Sequence, residues 1–593
     1  MAFHIPTALS MGNTPFYVVA ILVALYLAYR WALPKPIPGI PYDESAKNSL
    51  FGNVPELLSI LRVTGKTRPF FIEHPKKHNS ALTQVWMGPL QKPCLILSDF
   101  RESQDILLRR AREFNRGPFS TNAFAGVVPN HHIAMASSDP RFKGNRELVR
   151  DLMTFNFLHE VSAPQIYAKT MALVDLWTLK SELGEGQPFN ARRDIFDAAI
   201  DIINAVAFGL EDDQSTVKNQ MHFLSSKPGY RPAINADGTV AFPELPTLPN
   251  IAAIEAMGLH LGEQFKTPFP KTMHRIQMLT SPTLAKDFAK KDKFIYDEID
   301  KAVVRLHKGE SGTRSAMDHI LQREMNAAEK AGREPVFHSP QIHDEVRLAS
   351  ARLRNPLLTV YQLFGFLVAG HDTSSTAVAW MVKNVAEYPE VQIRLRAALR
   401  TAYSEAHAEG RQPSVEELWK TPVPYLDAVL EESLRHDGPI PITLREALVD
   451  TVILGHKIPK GTPIFLLSDG PDYQSPPIPI PEHTRSPSSR DKRLYGSWDP
   501  SDMHLFKPDR WLKTDENGNE VYDAQSGPMM AFGLGSRGCF GRRLAYLETR
   551  IVLASLVWNF EFHKLSDELS SRDSYDSITR NPVQCYVSLT KVT

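Results

Sequence analysis

Cys539 is one of only three cysteines in this chain of 593 residues, and its surroundings set it apart. It lies in the segment FGLGSRGCFG, which places glycines on both sides of the sulfur. An apolar helical pattern follows, so we expect Cys539 at the start of a helix, where free N–H groups and the helix dipole lower the pKa of a thiol. Arg537 adds positive charge nearby. An isolated cysteine of this kind is usually structural, but the flanking pattern favours a thiolate that does chemistry.

The same segment contains GxGxxG at Gly533, Gly535 and Gly538, the spacing of a dinucleotide-binding loop. That loop requires a strand before it and, about 20 positions later, an acidic residue at the end of a second strand. Residues 529–532 are too short for a convincing strand, and one long helix follows instead. We therefore reject the dinucleotide hypothesis. A thiolate at a glycine-lined turn, which a flat group can approach closely, is what axial ligation of haem iron by sulfur requires.

The segment resembles the haem-binding loop of cytochromes P450, FxxGxRxCxG. All of the fixed positions are filled, by Phe532, Gly535, Arg537, Cys539 and Gly541. The resemblance implies haem b as the cofactor, with Cys539 as the axial ligand of the iron and with Phe532, Arg537 and Gly541 as further haem-binding residues. It also predicts other family motifs upstream, in a fixed order.

An ExxR pair on a helix is one such motif, and YLDAVLEESLRH supplies it with Glu432 and Arg435. Residues three positions apart share a helical face and can pair. Glu431 could also reach Arg435, but only Glu432 has the family spacing. Further along, FKPDRW (residues 506–511) is similar to the family's F-x-P-E/D-R-F/W. In the family its arginine, here Arg510, completes a buried triad, so we expect a structural role in which loss of one member would leave a buried charge.

A long helix over the distal face of the haem is also expected. We predict it over Pro356–Tyr388, where it carries AGHDTSS, similar to the family's A/G-G-x-D/E-T-T/S. Gly370 is expected to open room above the iron, and Thr373 to loosen the backbone and offer a hydroxyl. Reductive cleavage of O2 needs protons, so Asp372 and Thr373 are the candidate catalytic residues. The family does not bind iron through the position of His371, and we assign it no ligand role.

Cationic contacts with the haem propionates are a third expectation from the family. Arg445 lies ten residues after Arg435, where many members place such an arginine; a surface arginine is the alternative. FKGNR, which begins at Phe142, aligns with the family's W-x-x-x-R and assigns Arg146 to a propionate. Phe142 replaces the usual Trp and cannot donate a hydrogen bond, so one propionate contact is missing or supplied otherwise.

Helical periodicity dominates the body of the chain, and with the family resemblance it implies the cytochrome P450 fold, mainly α with small β elements. Short strands are predicted at Thr83–Met87 and Cys94–Leu97. Further predicted helices are Ile166–Leu183, Ile195–Phe208, Phe294–His307 and Glu390–Ala408. Turn-forming residues indicate two surface excursions rather than domains, at Lys227–Asn250 and Asp469–Ser497.

The balance of charge excludes one large class of function. Lys and Arg number 67, as do Asp and Glu, so we expect no nucleic-acid partner. With 42% hydrophobic and 23% charged residues the composition is that of a globular protein, not of a disordered or polytopic membrane chain.

The N-terminal segment, residues 1–33, contains an 18-residue run at 16–33 that is apolar except for Arg30. That length nearly spans a hydrocarbon core of about 30 Å, so it predicts a transmembrane anchor helix. Basic residues follow the run, which places the rest of the chain in the cytosol. A cleaved signal peptide is the alternative, disfavoured by the absence of a basic n-region and of a small-residue cleavage site. A proline-rich linker, 34–45, leads to a haem-thiolate domain, 46–593.

The resemblance implies a single-pass protein of the endoplasmic reticulum membrane whose catalytic domain faces the cytosol. The implied reaction is a monooxygenation, the insertion of one oxygen atom from O2 into a C–H or C=C bond. The sequence has no flavin or iron–sulfur module, so we expect electrons from NADPH through cytochrome P450 reductase, with cytochrome b5 as an optional second donor. Arg542, Arg543 and the basic residues around Lys143 are the expected docking face; a solvated basic rim is the alternative.

We expect a hydrophobic, membrane-partitioning small molecule as substrate, because the three predicted contact regions are apolar. These regions are Phe119–His132, Phe364–Ala369 and Pro439–Thr443. The AGHDTSS core and the late proline-rich excursion resemble filamentous-fungal members of the family, which implies a role in secondary-metabolite biosynthesis.

Two alternative functions stay open at this point. One is a haem-thiolate isomerase or dehydratase that needs no O2, and the intact Asp372–Thr373 pair argues against it. The other is an inactive haem-binding relative, for which loss of Glu432, Arg435 or Cys539 would be evidence; all three are present.

Overall fold

The computed structural model describes residues 14–147, 149–209, 212–227, 229–267, 269–308, 314–335, 337, 356–490 and 495–592. Side chains are described from residue 16 in the first helix and from residue 363 in the helix that begins at Pro356. Residues 1–13 of the N-terminal segment and residues 491–494 of the late excursion lie outside the described residues.

Helices make up most of the described elements, which confirms the mainly α class with small sheets. Their bounds are α1 Thr14–Ala32, α2 Glu44–Lys47, α3 Val54–Thr64, α4 Arg68–Lys77, α5 Phe100–Leu108, α6 Pro118–Ala125, α7 Pro140–Glu147, α8 Ala163–Leu183, α9 Arg192–Phe208, α10 Thr216–Ser225, α11 Pro249–Phe265, α12 Pro270–Thr280, α13 Pro282–His307, α14 Ala316–Lys330, α15 Pro356–Glu387, α16 Pro389–Ala402, α17 Ser404–Ala408, α18 Val415–Lys420, α19 Pro424–Asp437, α20 Pro487–Arg490 and α21 Arg542–Asn559.

The predicted helix Glu390–Ala408 is wrong in one respect, because it divides at Tyr403 into α16 and α17. Tyr403 has φ −108° and ψ 48°, outside the helical region. Its ring is buried and lies 6.1 Å from the ring of Trp558, centroid to centroid. Core packing of this side chain therefore overrides the helical periodicity of the sequence.

The strands are short and form several small sheets. Their bounds are β1 Leu82–Val85, β2 Cys94–Leu97, β3 Phe114–Asn115, β4 Phe189–Asn190, β5 Ala233–Ile234, β6 Val240–Ala241, β7 Ile442–Ala447, β8 Thr451–Ile453, β9 His456–Ile458, β10 Pro463–Leu467, β11 Leu512–Thr514, β12 Glu520–Tyr522, β13 Phe560–Phe562, β14 Ser574–Asp576, β15 Arg580–Pro582, β16 Tyr586–Val587 and β17 Leu589–Lys591.

The largest sheet has the order β1-β2-β10-β7-β3. β2 and β10 are parallel, and the other neighbours are antiparallel. In this sheet Arg445 of β7 pairs with Ile464 of β10, so the arginine lies at a fixed position in the sheet, and it is itself buried.

The long helix α15 packs along α9 in the main hydrophobic core, and Gly370 lies at this contact. A Cβ on Gly370 would lie 2.9 Å from Cδ1 of Ile203 on α9. The missing side chain therefore lets the two helices approach closely. The expectation that Gly370 opens room above the iron is corrected accordingly.

The N-terminal helix α1 leaves its large apolar side chains exposed along its length, from 44% at Tyr29 to 72% at Phe16. The Tyr29 hydroxyl donates to the Asn48 carbonyl at 3.0 Å. Within the described residues, no helix combines the length and the hydropathy needed to cross a bilayer, so the predicted span over 16–33 is not confirmed.

The proline-rich linker lies against the largest sheet, where Gln84 of β1 binds its backbone. The Ile37 N–H donates to Gln84 Oε1 at 2.8 Å, and Gln84 Nε2 donates to the carbonyls of Ile37 and Ile40 at 2.9 and 2.7 Å. Both isoleucine side chains are buried. The linker therefore has a defined path beside the body.

The two excursions are both attached to the body by hydrogen bonds. In the first, β5 and β6 form a hairpin that joins β4 and β16 in one sheet. In the second, Arg485 donates to both carboxylate oxygens of Asp99 at 2.8 and 2.9 Å. The hydroxyls of Ser486 and Ser488 donate to Asp105 of α5 at 2.7 and 2.9 Å.

Candidate active site

The Cys539 loop is a tight turn that requires glycine at one point. Gly535 has φ +70°, and a Cβ there would lie 2.1 Å from the Leu107 carbonyl oxygen on α5. The Cys539 N–H donates to the Phe532 carbonyl at 2.7 Å and closes the loop. Helix α21 begins shortly afterwards, at Arg542. The loop is therefore held against α5, with the cysteine just ahead of a helix.

Cys539 differs from the other two cysteines in its exposure. Cys94 and Cys585 are buried, and burial raises the pKa values of their thiols to about 12 and about 11, so they are inert core residues. Cys539 is exposed.

The pKa of the Cys539 thiol lies above its ordinary value. Desolvation by the surrounding protein raises it, while the Gly541 N–H and the charge of Arg542 act in the opposite direction. This is contrary to the expectation of a thiol made acidic by the helix start. A bound metal ion deprotonates a coordinating thiol outright, so the ionisation of this sulfur would follow from ligation.

Helix α15 meets the Cys539 loop through two aromatic rings. The ring centroids of Phe366 and Phe540 lie 5.6 Å apart at an angle of 84°. Ala369, one helical turn after Phe366, is exposed although the flanking Val368 is buried. Ala369 and Cys539, which lie close in sequence to the two rings that meet, are thus both exposed.

Three of the polar side chains in the AGHDTSS segment bind different partners. The Thr373 hydroxyl donates to the Ala369 carbonyl at 2.8 Å, the back-bond that loosens a helix. Asp372 Oδ2 accepts a hydrogen bond from the Thr579 hydroxyl at 2.8 Å. His371 is buried, with Nδ1 2.7 Å from the Leu367 carbonyl and its ring against Phe196 of α9.

Sequence reasoning missed the residues that surround Asp372. Thr579 Oγ1 lies 3.0 Å from Thr376 Oγ1, which donates to Asn581 Oδ1 at 2.9 Å. Thr579 and Asn581 lie in the turn and strand that follow β14, about 200 residues from Asp372. No local pattern in the sequence signals that this hairpin reaches α15.

Four arginines converge beside the Cys539 loop, each bound to a backbone carbonyl. Arg537 donates to Met135 at 2.7 Å, Arg116 to Ile133 at 2.6 Å and Arg445 to Leu444 at 2.8 Å. Arg146 donates to the carbonyl of Ser536, within the loop itself. Arg116 was not identified from the sequence, because it lies outside any motif.

The charges of these arginines are not neutralised by any carboxylate among the residues that the structure describes. Burial lowers the pKa of Arg537 to about 8, and the charges of Arg116, Arg445 and Arg146 act in the same direction. Burial, with Arg116, lowers the pKa of Arg445 to about 9, and burial lowers that of Arg116 to about 10. No described carboxylate pairs with any of the four. Because guanidinium groups keep their protons in proteins, the cluster is a site for an anion.

Phe142, which stands where the family usually has Trp, makes a cation–π contact instead of donating a hydrogen bond. Its ring lies under the Arg537 guanidinium, 4.2 Å from centroid to Cζ. Arg146 lies over the Phe540 ring at 5.4 Å. The aromatic side chains thus orient two of the arginines through cation–π interactions.

The Glu432 carboxylate is fully buried and binds two guanidinium groups. Arg435 donates to both of its oxygens at 2.7 Å, and Arg510 Nε donates to Oε1 at 3.1 Å. The Lys507 N–H donates at 2.7 Å and the Trp511 indole at 3.0 Å. Burial alone would raise the pKa of Glu432, but these donors hold it below its ordinary value. The structural role of this triad stays a prediction.

Glu431 has a different environment from its neighbour Glu432. It accepts hydrogen bonds from the hydroxyls of Tyr522, at 2.7 Å, and Tyr546. Burial raises its pKa against the effect of these two bonds. It therefore does not compete with Glu432 for Arg435.

A further buried acid lies behind α15. Glu548 of α21 accepts a hydrogen bond from the Ser374 hydroxyl at 2.8 Å. Burial raises its pKa to about 8, and this one bond offsets only part of the effect. Glu548 is therefore largely protonated at neutral pH.

Comparison with known proteins places this geometry in a family. The cytochrome P450 family model matches residues 47–470 and 499–589, and the interval between them covers most of the late excursion. Cytochrome P450 monooxygenase TRI13 of Fusarium sporotrichioides is 35% identical over 96% of this chain and 98% of its own length. Cytochrome P450 monooxygenase GME11363 of Pestalotiopsis microspora is 33% identical over 98% and 99%. The crystal structure of the cytochrome P450DA haem domain has the same fold, with a TM-score of 0.62 at 17% identity over 95% of this chain and 99% of that one.

The chain therefore belongs to the cytochrome P450 family, and it is an oxidoreductase. The family implies a haem with a thiolate ligand, and the residues present fit that group. The exposed Cys539 would supply the sulfur, and the arginines that no described carboxylate neutralises would supply the positive charge that two propionates require. Arg116, Arg146, Arg445 and Arg537 are the residues that would hold the propionates.

Replacement of Glu432 by Gln will strongly destabilise the protein. The change leaves Arg435 and Arg510 with buried, uncompensated charge, and loss of one partner of such a group costs about 3–5 kcal/mol. Chemical denaturation, monitored by tryptophan fluorescence, measures the decrease in the free energy of unfolding. Glu431→Gln is the matched control, because that neighbour binds two neutral hydroxyls and tolerates a neutral amide at a cost of about 1 kcal/mol. Equal losses for both variants would contradict the account of Glu432.

Glu548→Gln will change the pH dependence of stability. The folded-state pKa of Glu548 is raised to about 8 from 4.5, so its stability contribution is complete below pH 4.5 and is lost as the pH rises through 8. Between pH 5 and 8 this loss amounts to about 3 kcal/mol, and the neutral Gln removes it. The free energy of unfolding, measured at pH 5 and at pH 8, should therefore rise in the variant relative to the wild type as the pH increases. If the difference between the two proteins is the same at both pH values, the raised pKa of Glu548 is contradicted.

Proposed function

We propose that this cytochrome P450 inserts one oxygen atom from O2 into a hydrophobic small molecule, as a hydroxylation or an epoxidation. The observation that supports the proposal is the exposed Cys539 beside α15, the helix that carries the acid and hydroxyl of Asp372 and Thr373. Haem, when bound through the sulfur, supplies the redox chemistry that activates O2.

Asp372 and Thr373 are proposed to supply protons. The Thr579 hydroxyl donates to Asp372 Oδ2, and Thr376 Oγ1 lies 3.0 Å from that hydroxyl. The Thr579 hydroxyl therefore orients the Asp372 carboxylate and can exchange a proton with it. Thr373, the adjacent residue, donates its own hydroxyl proton to the Ala369 carbonyl and is half-buried. General acid catalysis of this kind accounts for rate factors of about 10²–10⁴.

The substrate is proposed to be apolar, because α6 and α11, which fall in or near the predicted contact regions, meet through aromatic rings. Phe119 and Phe124 of α6 pack on Phe265 of α11, with centroids 6.2 and 5.2 Å apart. Gly365 of α15 lies against His131, where a Cβ would be 2.1 Å from the ring. The fungal origin of the two relatives described above supports a role in fungal secondary-metabolite biosynthesis.

Electrons are proposed to come from NADPH through cytochrome P450 reductase, with cytochrome b5 as an optional donor. Lys143, Arg542 and Arg543 are exposed and lie on α7 and at the start of α21, the helix that follows the Cys539 loop. A basic surface next to the cysteine is complementary to an acidic redox partner.

The protein is proposed to be attached to the endoplasmic reticulum membrane by α1, with its catalytic body in the cytosol. The support is the row of exposed apolar side chains on α1 and the basic residues that follow it.

Incubation of the haem-loaded protein with reductase, NADPH and ¹⁸O2 tests the reaction. With a panel of steroids, terpenes and fatty acids, we expect a product that gains one ¹⁸O atom only when reductase and NADPH are present. Asp372→Asn and Thr373→Ala should lower its formation by about 100-fold. Ser375→Ala is the control, because that hydroxyl only donates to the Asp372 carbonyl, at 3.2 Å. A product formed without O2 would favour an isomerase or dehydratase, and an absence of labelled product would contradict the proposal.

Fractionation of fungal cells tests the attachment. The full chain should sediment with microsomes and resist alkaline carbonate, whereas a Leu22→Arg, Leu25→Arg double variant should be released, because arginine is costly in hydrocarbon. Val63→Arg is the control, since Val63 is 82% exposed on α3 but lies outside α1. Retention of the double variant in the carbonate-washed membrane would contradict attachment through α1.

A further inference from the structure

Two histidines and an aspartate meet at the point where the proline-rich linker reaches the body. Asp43 lies just before α2, His74 lies in the last turn of α4, and His78 directly follows that helix. Residues four apart in a helix share a face, so His74 and His78 are directed to the same side of α4. This cluster is remote in sequence from Cys539 and takes no part in the site described above.

The cluster has the composition and spacing of a metal site. His78 Nε2 lies 3.3 Å from Asp43 Oδ1, and His74 Nδ1 lies 3.7 Å from Asp43 Oδ2. One ligand atom from each residue lies within 4.8 Å of the other two. Zinc bound at about 2.0–2.1 Å in a tetrahedron separates its ligand atoms by about 3.4 Å. A single ion therefore fits among the three side chains with small adjustments.

The ligand atoms are buried and poorly satisfied. Asp43 and His74 are 8% and 2% exposed. Asp43 Oδ2, both ring nitrogens of His74 and His78 Nε2 form no hydrogen bond with any described residue. Polar atoms buried in this way are costly unless something binds them. A cation with an open coordination shell would satisfy one atom of each residue at once.

A second layer of side chains completes the arrangement. Glu56 Oε2 lies 3.5 Å from His74 Nε2, the ring nitrogen that faces away from Asp43. Asn53 Nδ2 holds this carboxylate with a hydrogen bond of 3.0 Å to the same oxygen. A histidine that binds metal through one nitrogen commonly donates its other N–H to a carboxylate, which fixes the ring and strengthens the ligand.

We propose that Asp43, His74 and His78 bind a divalent transition-metal ion, for which Zn²⁺ is the best match. Two imidazoles and a carboxylate, with water in the fourth position, form a ligand set that zinc accepts. The ion joins the linker to α4 and, through Glu56, to α3. Its role is to fix the path of the linker, and hence the position of α1, relative to the body.

Lys77 competes with the ion in the present arrangement. Its ammonium group lies 2.6 Å from Asp43 Oδ1. The Lys77 side chain is 56% exposed, so it can turn into solvent and release the carboxylate at little cost. Removal of this cation should therefore strengthen metal binding.

Titration with Zn²⁺ tests the site. The full-length, haem-loaded chain is purified in detergent through a tag without histidine, treated with a chelator, and titrated with ZnCl2 by calorimetry. We expect one high-affinity equivalent, with its affinity raised several-fold in Lys77→Gln and lowered about 10-fold or more in Glu56→Gln. Asp43→Asn and the His74→Gln, His78→Gln pair should lose the equivalent.

The controls separate loss of the metal from loss of the fold. His483→Gln changes an exposed histidine elsewhere and should bind zinc like the wild type. The reduced CO difference spectrum should be the same in all variants, because the cluster is separate from the haem site. If the wild type binds no zinc at micromolar concentration, or if the Asp43 and histidine variants bind it equally well, the proposal is wrong.

Discussion

Unneutralised positive charge beside the cysteine loop is the constraint on which the active site depends. Arg116, Arg445 and Arg537 come from distant parts of the chain and donate to backbone carbonyls, yet no described carboxylate balances them. Their mutual repulsion and burial are unfavourable in the protein by itself. The same arrangement would favour a flat, dianionic cofactor, to which Cys539 would offer its exposed sulfur as the iron ligand.

The Glu432 network differs from the arginine cluster, because in this network a carboxylate of the protein balances the charge of the arginines. One buried carboxylate receives five hydrogen bonds from Arg435, Arg510, Trp511 and the Lys507 backbone. Arg435 also donates to the carbonyls of Met503 and Leu505 at 2.9 and 3.0 Å. The network ties α19 to the segment that precedes the cysteine loop. The charge-balanced Glu432 network thus supports the region that contains the arginine cluster, whose charge only a bound anion would balance.

The parts of the site that depend on short spacing could be predicted from the sequence, and those that depend on tertiary contacts could not. Glu432 and Arg435 share a helical face, and Cys539 lies in a dense local motif. Arg116 and Thr579 reach the site only through the fold, so nothing near them in the sequence indicates their role. The two wrong expectations, for Gly370 and for the helix Glu390–Ala408, also come from tertiary contacts that the sequence does not show. Gly370 packs against α9. The packing of Tyr403 divides a helix that periodicity predicts as continuous.

The central claim is that Cys539 is the axial ligand of a haem held in the arginine-lined space. The CO difference spectrum of the reduced protein, recorded for the wild type and for Cys539→Ser, tests it most directly. The account predicts a strongly red-shifted Soret band in the wild type and its loss in a variant that still folds. The same band in both proteins, or no haem in a well-folded wild type, would contradict the account.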